Sequence, residues 1–283
     1  MKKTAYLLFV VSFFAGCHKD NISSENKELI SVSSNRVQLP DAEISAIPYN
    51  TFYGPVVQMG NGHARTWINI THDNKALAFG VELTDGALEN LPDVPEDERD
   101  FISGPADFLL ALHPKARELT SYDHVCINWN AHGHEPPGIY DQPHFDFHFY
   151  KITLADQTAI PGYSAAPTLF DNEPPAGFMP PLYFRGPGGV PKMGAHWVDI
   201  LSPEFSGQPF TSTFIYGSYN GQVTFYEPMI TMATIQSGVT IHKDIRQPLY
   251  FSPISKYYPT EYSIWKNETT NKHYISLDEM VMR

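Results

Sequence analysis

The sequence predicts a mainly β protein: a β-barrel or β-sandwich-like single domain with a few peripheral helices and a long Pro/Gly-rich loop. Short alternating or aromatic runs recur along the chain, helical periodicity is scarce, and 24 Pro and 19 Gly supply turn chemistry between the runs. Strands are expected at Thr66–His72, Ala76–Leu83, Asp123–Trp129, His144–Thr153, Ala195–Leu201, Thr211–Ser218, Gln222–Ile230 and Glu261–Lys266. Ala87–Leu91 reads as a single helical turn. Asp107–Leu119, with Phe108, Leu109, Ala111, Leu112, Ala116 and Leu119 apolar, reads as the one full helix. Between Pro161 and Gly194 lie eight prolines and six glycines, with Tyr163, Phe170, Phe178, Tyr183 and Phe184 among them. Such a segment reads as a long packed loop of the kind that covers binding sites.

The N-terminus carries targeting information. Lys2 and Lys3 precede an apolar run from Ala5 to Ala15, too short to span a bilayer and typical of a secretory signal. The run ends Phe14-Ala15-Gly16-Cys17, similar to the cleavage box of bacterial lipoproteins, with Phe14 where leucine is usual. The expected organisation is therefore a lipoprotein signal peptide over 1–16, a lipidated Cys17 with a polar flexible tether over 17–45, and a β-rich domain over 46–283. The expected location is the cell envelope, lipid-anchored to a bacterial membrane and facing the periplasm or cell surface.

Loss of residues 1–16 removes Lys2 and Lys3 and takes the formal charge from −12 to −14. No basic stripe appears, so nucleic acid is not an expected partner. With Cys17 lipidated, Cys126 is the only other thiol, and no disulfide can form within one chain. Cys126 lies between Val125 and Ile127 and reads as an inert buried thiol.

The chemistry concentrates in one strand. Alternation puts His144, Asp146, His148 and Tyr150 on one face and Phe145, Phe147 and Phe149 on the other. The aromatics fix the buried direction, yet the opposite face carries imidazoles and a carboxylate, a composition suited to metal coordination. His132-Gly-His134 returns two more histidines to the start of this strand, and His196 opens a strand after the long loop. Asn220-Gly221 predicts a two-residue type I′ hairpin. With Tyr219 opposite Gln222, that hairpin places Tyr216 opposite Phe225 and Phe214 opposite Glu227, so the carboxylate lies on an aromatic face where it needs a partner. The candidate metal ligands are His144, His148, His196 and Glu227, with His134, Asp146 and Asp199 as supporting or proton-transferring groups. The expected cofactor is a divalent transition metal, Zn, Fe or Mn foremost. The alternative reading of the same residues is a buried polar network that stiffens the fold without metal.

The stretch Pro136-Pro-Gly-Ile-Tyr-Asp-Gln-Pro-His-Phe-Asp-Phe-His-Phe-Tyr150, with Met193-Gly-Ala-His-Trp-Val-Asp199 and the run from Thr213 to Met229, resembles a family of exported bacterial proteins without an assigned activity. The resemblance covers roughly Phe52 to Thr234 and implies a single β-rich domain that assembles as a homo-oligomer. Gly188-Gly-Val-Pro-Lys-Met-Gly-Ala-His196 is locally similar to the second motif of cupins, but the spacing His-x-Asp-x-His and a Glu227 that follows His196 depart from the cupin pattern. Two functions fit these residues: a metal-dependent enzyme acting on a small molecule, or a non-catalytic metal- or ligand-binding module of the envelope.

Overall fold

The computed structural model describes residues 48–283. The expected signal segment, Cys17 and the tether lie outside them. In chain order, β1 (Tyr49–Tyr53), β2 (Val57–Met59), β3 (Gly62–Thr71) and β4 (Ala76–Thr84) begin one sheet. A second sheet follows: β5 (Asp107–Ala111), β6 (His124–Asn130), β7 (His144–Tyr150), β8 (Tyr183–Arg185), β9 (Ala195–Asp199), β10 (Ser212–Tyr219) and β11 (Gln222–Thr231). The chain then returns to the first sheet with β12 (Ile241–Asp244), while β13 (Tyr257–Tyr258) pairs with the terminal β16 (Val281–Met282) and β14 (Glu261–Asn267) with β15 (Lys272–Asp278). The first sheet has the order β1-β3-β4-β15-β14-β12, with β2 also on β3; the second runs β5-β6-β7-β11-β10-β9-β8. Neither closes on itself, so the fold is a β-sandwich and not the barrel that the sequence left open. All described residues belong to one compact unit, and none of its helices is long and apolar enough to cross a membrane.

All eight expected strands form. The expected helix over Asp107–Leu119 does not: Asp107–Ala111 is β5, and only Pro114–Leu119 is helical. Phe108, Leu110 and Leu112 are buried at a period of two, and Pro114 starts a new element behind the cap of His113, whose Nδ1 accepts from the Lys115 amide at 3.2 Å. Apolar positions three and four apart coincide with that alternation, which is why the sequence looked helical.

The sandwich core lies between the sheets. Ile68, Phe79, Val81, Ile264 and Ile275 of the first meet Val125, Phe145, Phe147, Phe149 and Tyr226 of the second. The second sheet is also covered on its other face, where Tyr140, Met193 and Phe210 from connecting segments pack on Cys126, Tyr150, Ile215, Phe225 and Met229. Strand β7 is therefore buried on both sides, and its His/Asp face is an inner surface, not a solvated exterior.

The Asn220-Gly221 turn forms as expected, with φ of 47° and 77°. Its register holds as far as Ser218 opposite Val223, then slips at a bulge that leaves Thr224 unopposed, so Tyr216 faces Tyr226 and Ile215 faces Glu227. The slip moves Glu227 from the aromatic core face, where Phe214 and Tyr216 lie, to the covered outer face beside Phe225 and Met229. Gly217 makes this arrangement feasible, because a Cβ there would fall inside the Phe225 ring. Phe225 in turn packs against the rings of His148 and His196, with centroids 4.7 and 5.2 Å away. Gly217→Ala is expected to cost about 1–3 kcal/mol in denaturant unfolding through overpacking. An unchanged midpoint would show that Phe225 has room to move.

Candidate metal centre

The outer face of the second sheet presents neighbouring side chains from β6, β7, β11 and β9, and a cleft of about 610 Å³ opens onto it. His134, Asp146, His196 and Glu227 line this cleft. The Pro161–Gly194 segment, read from the sequence as a packed loop, supplies Gly186, Pro187, Gly189, Val190 and Met193 to the same lining.

Two groups of three side chains stand on this face, each able to hold a metal ion: His134, His144 and Asp146, and His148, His196 and Glu227. In the first, the His144 Nδ1 lies 2.6 Å from the Gln142 carbonyl and the His134 Nδ1 lies 2.7 Å from the Glu135 carbonyl. A carbonyl only accepts, so each Nδ1 carries its ring's proton and, in the neutral imidazole, each Nε2 offers a lone pair. Both Nε2 atoms point at one carboxylate: His144 lies 3.2 Å from Asp146 Oδ1, and His134 lies 3.4 Å from Oδ2. Lone pairs facing a carboxylate oxygen repel unless a cation or a proton lies between them. Asp146 is further oriented by Asn130, whose Nδ2 donates to Oδ2 at 2.7 Å while its Oδ1 accepts from Arg99, itself paired with Asp107. Burial opposes ionisation of Asp146, but positive charge on the facing His144 and His134 rings outweighs it and holds the carboxyl well below the usual carboxylate range whenever those rings carry their second protons.

In the second group, His148 Nε2 and His196 Nε2 lie 3.5 and 3.9 Å from the two oxygens of Glu227. His148 is fully buried, and among the described residues neither of its ring nitrogens has a hydrogen-bond partner, nor does Glu227 Oε2. Burial pushes His148 down to about 3 and His196 down to about 4, keeping both imidazoles in the neutral, ligating form at neutral pH. Burial, and then the neighbouring Asp146, push the Glu227 carboxyl well above its usual range.

Three of the four imidazole–carboxylate separations, 3.4, 3.5 and 3.9 Å, are long for hydrogen bonds, and the fourth, 3.2 Å, is at the upper end of their range. Bonds of about 2.0–2.2 Å at about 90–109° set donor atoms about 3.0–3.5 Å apart; His144 and His134 to Asp146 and His148 to Glu227 fall in that range, and His196 to Glu227, at 3.9 Å, lies beyond it. Both groups combine two imidazoles with one carboxylate, a donor set suited to first-row divalent metals.

The four residues expected to share one ion are thus divided. His148, His196 and Glu227 come together, but His144 joins His134 and Asp146, because residues four apart on a strand lie about 13 Å from one another and cannot reach a common centre. His134 and Asp146, expected in supporting roles, stand at ligand positions. Asp199 takes no part: it lies on the opposite face of β9 from His196, and its carboxylate receives Arg246 at 3.1 Å. His132 sits at the surface with Asp93. Cys126 is buried as expected, its thiol pushed up to about 12 by burial. The sequence reading missed Asn130, Asp107 and Arg99. The alternation of Cys126, Asn128 and Asn130 along β6 was the available sign of a polar face beside β7.

No family model, curated protein or solved structure matches the chain.

A metal-binding role separates from a purely structural one at Glu227. In metal-free protein, Glu227→Gln should leave the denaturant midpoint within about 0.5 kcal/mol of wild type, since no donor holds the carboxylate. The stabilisation gained on adding zinc should shrink, because stabilisation by a ligand follows its affinity. A loss of several kcal/mol without metal would instead identify Glu227 as part of a metal-independent network.

Proposed function

We propose that this protein is an exported, lipid-anchored metalloenzyme that uses divalent transition metal, Zn, Fe or Mn, to act on a small molecule held in the cleft. One observation carries the reading: four buried ligand atoms, His144 Nε2, Asp146 Oδ1, His148 Nε2 and Glu227 Oε2, have no hydrogen-bond partner on a face that opens into a cavity. Unpartnered buried atoms occur elsewhere too, as at Trp67 Nε1 and Asp278 Oδ1, but these four belong to two clusters of metal-ligand type. Three protein donors per ion leave coordination positions for water or substrate, as in catalytic metal sites. When bound, such a cation polarises a ligand oxygen and acidifies a coordinated water. The chain's own contributions are distinct. The carbonyls of Gln142 and Glu135 fix the tautomers of His144 and His134, Asn130 orients Asp146, and Phe225 wedges His148 against His196. Met193, Phe205 and Met229 give the cleft beside these groups an apolar wall.

Export and anchoring are supported by Lys2, Lys3, the apolar run and Ala15-Gly16-Cys17. The resemblance to exported bacterial proteins agrees with them, and a homo-oligomer is the assembly it suggests.

Elemental analysis of protein expressed in metal-supplemented medium should find two equivalents of transition metal per chain. His196→Ala and His134→Ala should each lose about one, and full retention by both variants would refute the assignment. For the anchor, metabolic labelling with an alkyne fatty acid should mark the wild-type chain and not Cys17→Ala. Equal labelling would place lipid elsewhere or nowhere.

A further inference from the structure

The lining of the cleft defines the ligand more narrowly than the metal groups do. Apart from the ligand-bearing side chains, its surface is dominated by Phe101, Val190, Met193, Phe205, Ile215 and Met229. Its one cationic side chain, Arg99, is almost fully buried, and its two terminal nitrogens are spent on Asp107 and Asn130. Its charge is matched by Asp107, and the one guanidinium nitrogen left without a partner, Nε, is buried, so it is a weak handle for an anion beside the two metal groups. Glu135 is the one further acidic side chain of the lining, and it stands exposed to solvent.

Resting on the metal reading above, the charge balance is then set by the two groups alone. Two neutral imidazoles and one carboxylate around a divalent cation leave a net charge of +1, and there are two such groups on one wall. Positive charge in a cavity with apolar walls is poorly screened and strongly favours an anionic occupant over a neutral one. The same walls disfavour a small, fully hydrated inorganic anion, which would leave Phe101, Phe205 and Met229 facing nothing apolar. A cavity of about 610 Å³ is the size of an ordinary small-molecule site.

We infer that the cleft binds a small organic anion, with an oxyanion head such as a carboxylate directed at the His/Asp/Glu wall and an apolar, ring-sized body against Phe101, Met193, Phe205 and Met229. Because Asp107 matches the charge of Arg99, recognition of the head depends chiefly on bound metal.

Calorimetric titration of the full-length protein in detergent, loaded with zinc and assayed for zinc in the same sample, tests this with three probes. Benzoate carries both head and body, benzyl alcohol has the body without the charge, and acetate has the charge without the body. Benzoate should bind at least tenfold more tightly than either of the others, about 1.4 kcal/mol or more, and its binding should vanish after chelation. Equal binding of benzyl alcohol, equal binding of acetate, or benzoate binding that survives chelation would each overturn the inference. Zinc retained without preference for benzoate rejects the organic anion and leaves the metal assignment standing, whereas failure to retain zinc rejects both.

Discussion

Strand β7 is buried on both faces, and the rest of the molecule is arranged around that fact. Its odd positions, Phe145, Phe147 and Phe149, fill the space between the two sheets, and its even positions, His144, Asp146 and His148, are buried beneath connecting segments, with Asp146 in the lining of the cleft. A buried carboxylate costs several kcal/mol unless matched by positive charge and donors. Asp146 has the Asn130 amide as a donor, and Glu227 Oε2 has none; as neutral rings the imidazoles beside the two carboxyl groups bring no charge of their own. The sandwich therefore spends part of its stability on holding these groups together. It can do so because the aromatic layer between the sheets is large and the inserted polar rows are supported by neighbouring strands.

Much of the fold was legible in the sequence because alternation and turn chemistry are local signals. Eight strands, β3, β4, β6, β7, β9, β10, β11 and β14, and the Asn220-Gly221 hairpin follow from them, whereas β15, seven residues long and central in the first sheet, was missed. Short edge elements such as β8 and β13 carry too few residues to show a period, and β5 was hidden because Phe108, Leu109, Leu112 and Ala116 also fit a helical face. The hairpin register was readable only up to the bulge at Thr224. What shifts it is a contact between Gly217 and the Phe225 ring, and no count of residues reveals such a contact.

The candidate site shows the same division. The residue types and the strand that carries them stood out, and His148, His196 and Glu227 do converge. Two features needed three dimensions. The rise along β7 separates His144 from His148, and the loop after β6 folds back to place His134 beside Asp146. The tautomers follow from backbone carbonyls two residues before His144 and one after His134, positions that become informative only when the chain's path is known. The single four-ligand centre expected from the sequence thus becomes two groups of three side chains on one wall.

The central claim is that these six side chains are held apart by cations and not joined to one another by shared protons. Diffraction from crystals grown with zinc, measured at the zinc absorption edge, tests it most directly. The account predicts one anomalous peak among His148, His196 and Glu227 and a second among His134, His144 and Asp146. Absence of both peaks, with His134 and His144 closed into direct hydrogen bonds on Asp146 and Glu227 hydrogen-bonded to His148, would contradict it.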